Sequence, residues 1–153
     1  MSRNRKIHFV VHNQGAYDHQ KKEDLLTLIK SKYGEMLEGH LIAQEMYSHD
    51  PSDSHLQGNL FFKNAIRFPS LLKLFQSVYA ETRTPQGLKG RTELQSIVHE
   101  GRAYSYMINA NKEGGDPAPI CDNTQLDGRK FRDWLNSQLR EAIETNIALI
   151  SQN

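Results

Sequence analysis

Cysteine is nearly absent: Cys121 stands alone among 153 residues, which excludes an internal disulfide and fits a reducing compartment. No apolar run approaches the roughly 18 residues that a bilayer span requires. Met1–Lys6 leads into only a short apolar stretch, so neither a membrane span nor a secretory signal is expected. There is no GxxxxGK[ST] phosphate loop, hence no ATPase module of that type. Internal repeats, low-complexity tracts and linker-like stretches are also missing, so residues 1–153 read as one domain.

Net charge is scarce as well, but its distribution is uneven. The 19 Lys and Arg nearly balance the 18 Asp and Glu, for a formal charge of +1. Gly34 to Ser54 holds no Lys or Arg, yet it contains Glu35, Glu38, Glu45, Asp50 and Asp53. From Lys63 to Arg91 the sign reverses: Lys63, Arg67, Lys73, Arg83, Lys89 and Arg91 face Glu81 alone. Arg3, Arg5 and Lys6 add a basic N-terminal arm. An acidic pocket beside a basic surface suits a metal-dependent enzyme acting on a polyanion, although solvated charged faces give the same clustering.

Residue patterning predicts an α+β fold on a mainly antiparallel sheet, in the order β-α-β-β-α-β-α-β-α. Lys6–His12 reads as a strand, and Leu25, Leu26, Leu28, Ile29 and Tyr33 recur at helical spacing until Gly34. His40–Tyr47 and His55–Phe62 read as a hairpin joined by the turn-forming Ser48–Ser54. Pro69 and Ser70 suit a helix start. Val78–Thr82 is expected as a short strand, Thr84–Gly90 as a loop, Glu93–Ala110 as a helix, and Ile120–Cys121 as another short strand. Phe131, Leu135, Leu139, Ile143, Ile147 and Ile150 mark an amphipathic C-terminal helix within residues 127–153.

The hairpin carries the chemistry. Strand residues two apart share a face, so His55 and Gln57 project together, and Glu45 can join them from the opposite strand. An imidazole nitrogen, an amide oxygen and a carboxylate with open positions suit Mg²⁺ or Mn²⁺. The spacing alone equally describes polar residues on a solvent-facing strand. His8 and His12 also share a strand face but have no carboxylate nearby in sequence. The remaining histidines read as surface or loop residues, and Cys121 as a buried structural thiol.

HLQGNLFFKN, preceded by LIAQE, resembles the second motif of the HUH-type replication initiators of circular single-stranded DNA viruses. The circovirus type is nearest, and geminivirus and plasmid rolling-circle initiators are more distant. That motif is a strand ending in Glu, a turn, then His-Leu-Gln/His-Gly, apolar and aromatic residues and a Lys. RFPSLLKLF is similar to the helix that follows it, and HFVVHNQ to the family's first motif. Weaker agreement runs from Phe9 to about Cys121.

The resemblance implies a five-stranded antiparallel sheet flanked by helices, with Glu45, His55 and Gln57 as metal ligands. It also implies a tyrosine nucleophile in the third motif. There GRAYSYMINANKEGG departs from the family's Tyr-x-x-Lys, because Asn109 stands three residues before Lys112. Two tyrosines are candidates. Tyr104 continues an apolar stripe running from Leu94 through Ile97 and Val98 to Ile108, whereas Tyr106 lies off it and is the preferred nucleophile.

The implied activity is metal-dependent nicking and joining of single-stranded DNA through a 5′-phosphotyrosine, initiating rolling-circle replication. The partner would be a replication origin in single-stranded or hairpin form. Lys63, Arg67, Lys89 and Arg91 are candidate phosphate contacts. A homo-oligomer, or a helicase domain following this one, would be in keeping with the family. The implied location is the host nucleus for a eukaryotic virus protein and the cytoplasm otherwise. Two other readings compete: a non-enzymatic nucleic-acid-binding module, and a transposase or hydrolytic nuclease using the same hairpin.

Overall fold

A computed structural model describes residues 3–98 and 114–122, together with Arg140, Ile143, Glu144, Asn146 and Ile147. Segments rich in apolar residues build three long strands: β1 (Arg3–Val11), β2 (Leu37–Met46) and β3 (Ser54–Arg67). Helix α1 (Gln20–Tyr33) separates β1 from β2, and α2 (Phe68–Gln76) follows β3 directly. Pro69 lies in the first turn of α2, where its missing N–H costs nothing. Gly34 ends α1 with φ 54°, a conformation open to glycine and strained for most other residues.

Four short strands complete the described chain: β4 (Thr82–Thr84), β5 (Gly87–Lys89), β6 (Thr92–Ser96) and β7 (Ile120–Asp122). Five of the strands form one antiparallel sheet in the order β6-β1-β3-β2-β7, and β4 and β5 pair as a separate hairpin. The α+β class and the five-stranded antiparallel sheet flanked by helices are thus as expected.

One face of the sheet is the core. Ile7, Phe9, Val11, Ile42, Leu56, Leu60 and Phe62 bury against Leu25 and Ile29 of α1 and against Leu71 and Phe75 of α2. Phe9 and Phe75 meet edge to face at 5.2 Å. The register sends the intervening residues to the opposite face: His8 and Val10 from β1, Glu45 from β2, and His55, Gln57 and Asn59 from β3. That face also has a small apolar cluster of Leu41, Ala43 and Phe61, with Ile97 packed against it.

Five expectations are corrected. Thr84–Gly90, read as a loop, contains the strand β5, whose Gly87–Lys89 pairs with Thr82–Thr84. Glu93–Ala110 does not begin as a helix: Thr92–Ser96 pairs with β1 as the strand β6. Leu94 packs into the main core, Ile97 joins the cluster on the other face, and Val98 is 81% exposed. The apolar spacing fits either structure over so short a run, and the otherwise unpaired edge of β1 decides it. Val78 is exposed in a turn, so the short strand starts at Thr82 instead. His40, read as a surface residue, is buried in β2 between β3 and β7. Cys121 is exposed because β7 is an edge strand.

The expected C-terminal helix of residues 127–153 lies outside the described residues, apart from the five isolated positions named above. Among the described residues, no helix is long and apolar enough to cross a membrane.

Candidate metal centre

The β2–β3 hairpin brings Glu45, His55 and Gln57 together. Glu45 and His55 are direct cross-strand partners, and Gln57 lies two residues further along β3 on the same face. Gln57 Nε2 donates to Glu45 Oε1, and His55 Nε2 stands 3.7 Å from Glu45 Oε2. Glu45 is 2% exposed and Gln57 3%, so a carboxylate, an amide and an imidazole share a site largely closed to water.

The donor set fits a hard divalent cation. Two oxygen donors and one ring nitrogen are suited to Mn²⁺ or Mg²⁺, and an amide ligand is poorly suited to tetrahedral zinc. His55 Nδ1 is buried without a hydrogen-bond partner, so the protein leaves part of the ring's polar capacity unused. Glu45, His55 and Gln57 are the residues that would hold the ion. The Gln57 amide must turn its oxygen inward to do so, exchanging its bond to Glu45 for coordination.

Gly58, next to Gln57, has a steric role. A Cβ there would lie 2.5 Å from the Leu41 carbonyl oxygen and 2.5 Å from the Phe9 ring. Glycine thereby lets the Phe9 ring lie directly on β3, beneath the site.

The surroundings include residues that spacing did not single out. Just past β2, the Tyr47 hydroxyl donates to His12 Nδ1 at 2.7 Å and accepts from the Asn13 N–H at 3.3 Å. His12 Nε2 then faces Glu93 Oε2 at 3.3 Å. The Tyr47 ring lies 5.1 Å from His55 and the His12 ring 6.2 Å from it, so both wall the site. Burial pushes the Tyr47 hydroxyl above its ordinary pKa, and the charges of Asp53 and Glu93 add to this against the Asn13 hydrogen bond. Tyr47 therefore stays protonated near neutral pH. Its place two residues after Glu45 was the available signal. Glu93 was hidden because it lies 81 residues from His12 in sequence.

A buried clasp fastens the loop before β7 beside this site. Lys22 and Asp116 pair at 2.6 Å with both side chains fully buried. Lys22 also donates to Tyr17 and to the Ala118 carbonyl, while Asp116 accepts from the Gln44 N–H, the Ala118 N–H and the Tyr17 hydroxyl. The Met46 N–H donates to the Gly114 carbonyl at 2.9 Å, tying the same loop to the residue after Glu45.

The candidate phosphate contacts divide. Lys89 and Arg91 border the site, since the Arg91 carbonyl accepts from the His12 N–H and Gly90 donates to the Asn13 side chain. Lys63 lies eight residues beyond His55 on β3, about 27 Å away at strand rise, and Arg67 lies further still. Tyr104, Tyr106 and Lys112 are outside the described residues. No protein-family model matches the chain, and no curated protein matches it.

Proposed function

We propose that this protein is a metal-dependent endonuclease that nicks and rejoins single-stranded DNA through a covalent 5′-phosphotyrosine, as an initiator of rolling-circle replication does. The observation that carries the reading is the convergence of Glu45, His55 and Gln57 on one buried point of the central hairpin. Their order, and nearly their spacing, resemble those of the second initiator motif. The antiparallel five-stranded sheet is the scaffold the reading requires.

A bound divalent ion would neutralise charge on a scissile phosphate and orient it. Tyr106, preferred over Tyr104, attacks the phosphorus; the bond to the 3′ oxygen breaks, leaving the 5′-phosphoryl group on the tyrosine and a free 3′-hydroxyl. That hydroxyl can prime synthesis and later attack the phosphotyrosine, which restores the strand and the tyrosine without ATP. Lys89 and Arg91 supply cationic charge at the site's rim. The substrate would be an origin sequence in single-stranded or hairpin form, and the location the host nucleus or the cytoplasm. A homo-oligomer or an attached helicase domain is compatible with this role.

One observation favours a second reading. The Gln57 amide already satisfies one Glu45 oxygen, an arrangement that a non-catalytic single-strand-binding sheet would also tolerate. Incubation with oligonucleotides of candidate origin sequence, with Mn²⁺ or with EDTA, separates the two. The nuclease reading expects a denaturation-resistant adduct with Mn²⁺ alone, lost in Tyr106→Phe while DNA binding remains. An adduct that survives Tyr106→Phe and disappears in Tyr104→Phe would move the nucleophile to Tyr104. Cleavage without an adduct would point to the hydrolytic class, and binding without cleavage to the non-enzymatic module.

A further inference from the structure

We propose that Gln44 and Ser54 are positioning residues for the metal centre, anchored from behind by the buried Lys22–Asp116 pair. The inference rests on the metal reading above and adds what holds the ligands in place before an ion arrives. Each of the two residues stands immediately before a ligand, Gln44 before Glu45 and Ser54 before His55. Strand alternation therefore turns their side chains to the opposite, helix-covered face, directly behind the site.

Both side chains are completely buried, on the face that carries the core. The Gln44 amide uses all of its polar atoms. Its Nε2 donates to Ser54 Oγ at 2.8 Å and to the Ala16 carbonyl at 3.1 Å, and its Oε1 accepts from the Asp18 N–H at 2.8 Å. Ser54 Oγ in turn donates to the Gly15 carbonyl at 2.7 Å. The bond between Gln44 and Ser54 thus ties β2 to β3 through the residue that precedes each ligand.

The outer side of β2 is supported in the same way. β7 pairs with β2 only at His40, Leu41 and Ile42, so that ladder ends before Glu45. Beyond it, the Gln44 N–H donates to Asp116 Oδ2 at 2.7 Å and the Met46 N–H to the Gly114 carbonyl at 2.9 Å. These two bonds bracket Glu45, and Lys22 holds the Asp116 carboxylate from α1. A strand end without them would fray, and Glu45 would lose its fixed direction toward His55 and Gln57. Apolar residues would fill the same space without the desolvation cost of an amide, a hydroxyl and an ion pair. What the polar network supplies is order: donors that are already fixed lose little freedom when an ion binds, so the ion is held more tightly.

Calorimetric titration with Mn²⁺ tests this without relying on cleavage, at a temperature where circular dichroism shows each variant folded. Gln44→Met, which keeps the volume and removes the hydrogen bonds, and Ser54→Ala should each weaken Mn²⁺ binding about tenfold. Ile29→Val, in the core on α1 and away from the network, is the control for stability alone. It should lower the melting temperature by a few degrees and keep the native affinity. If Gln44→Met does not fold, Ser54→Ala decides alone. Native affinity in the folded variants overturns this inference alone, as does an equal loss in Ile29→Val. Absence of saturable Mn²⁺ binding by the native protein overturns it together with the metal reading it rests on.

Discussion

Lys22 and Asp116 form the most costly pair to disturb, because neither charge reaches water. The sequence offered no hint of it: the partners lie 94 residues apart, and a lysine in a polar helix reads as solvated. Removing one partner strands the other, so Lys22→Met should lower unfolding stability by about 3 kcal/mol in urea denaturation. Adding Asp116→Asn to that variant should recover part of the loss. Burial raises the Asp116 pKa, but hydrogen bonds from the Gln44 N–H, Lys22, the Ala118 N–H and Tyr17 outweigh it and hold the group below its ordinary 3.8. A depressed native pKa adds stability that is complete above the unfolded value and lost as pH falls through the native one. Asp53, held down by Asn13 and the Gly15 and Ser54 N–H groups against its own burial, acts in the same direction. The urea midpoint should therefore be steady above about pH 4 and drop below it, less steeply in Asp116→Asn.

At the scale of elements, the hairpin of β2 and β3 carries the candidate metal centre, and Gly58 is a point of close approach within it. Its added Cβ would meet the Leu41 carbonyl and the Phe9 ring, and backbone and packed aromatic have little freedom to yield. Gly58→Ala should destabilise the protein by roughly 2 kcal/mol and lower its melting temperature, with a further loss in Gly58→Val. This hairpin was legible in the sequence because two short runs rich in apolar residues flank a turn rich in Asp, Ser and Pro. Thr92–Ser96 was not legible. Leu94 and Ile97 sit three residues apart, as in a helix, yet they end on opposite faces of the sheet. Pairing with the open edge of β1 overrides that local pattern, and no local signal records which edges a sheet leaves open. The stripe that distinguished Tyr104 from Tyr106 therefore does not begin at Leu94, and the choice between them rests on the adduct experiment.

For the whole molecule, the near-zero charge resolves into regions with different surroundings. The acidic stretch holds Glu45, buried in the site, and Asp53, which ties the Asn13–Gly15 loop to the start of β3. The basic stretch divides between the site's rim, with Lys89 and Arg91, and the distant end of β3, with Lys63 and Arg67. Polar residues line one sheet face from Glu45 through Gln57 to His8 and Gln95, while both helices cover the other. One face thus builds the core, and the opposite one carries the candidate site. That Glu45, His55 and Gln57 lie together was legible from spacing joined to a resemblance. Their walls of His12, Tyr47 and Glu93 were not, because these come from three separate segments that only the folded sheet brings together.

Glu45, His55 and Gln57 are proposed to form a divalent-metal centre. Calorimetric titration of the intact protein with Mn²⁺, at pH 7 and without DNA, tests it most directly. Saturable binding of one ion per chain is expected, weakened at least about tenfold by each of Glu45→Gln, His55→Ala and Gln57→Ala, with the fold retained by circular dichroism. Absence of saturable Mn²⁺ binding, or an affinity unchanged in all three variants, would contradict it.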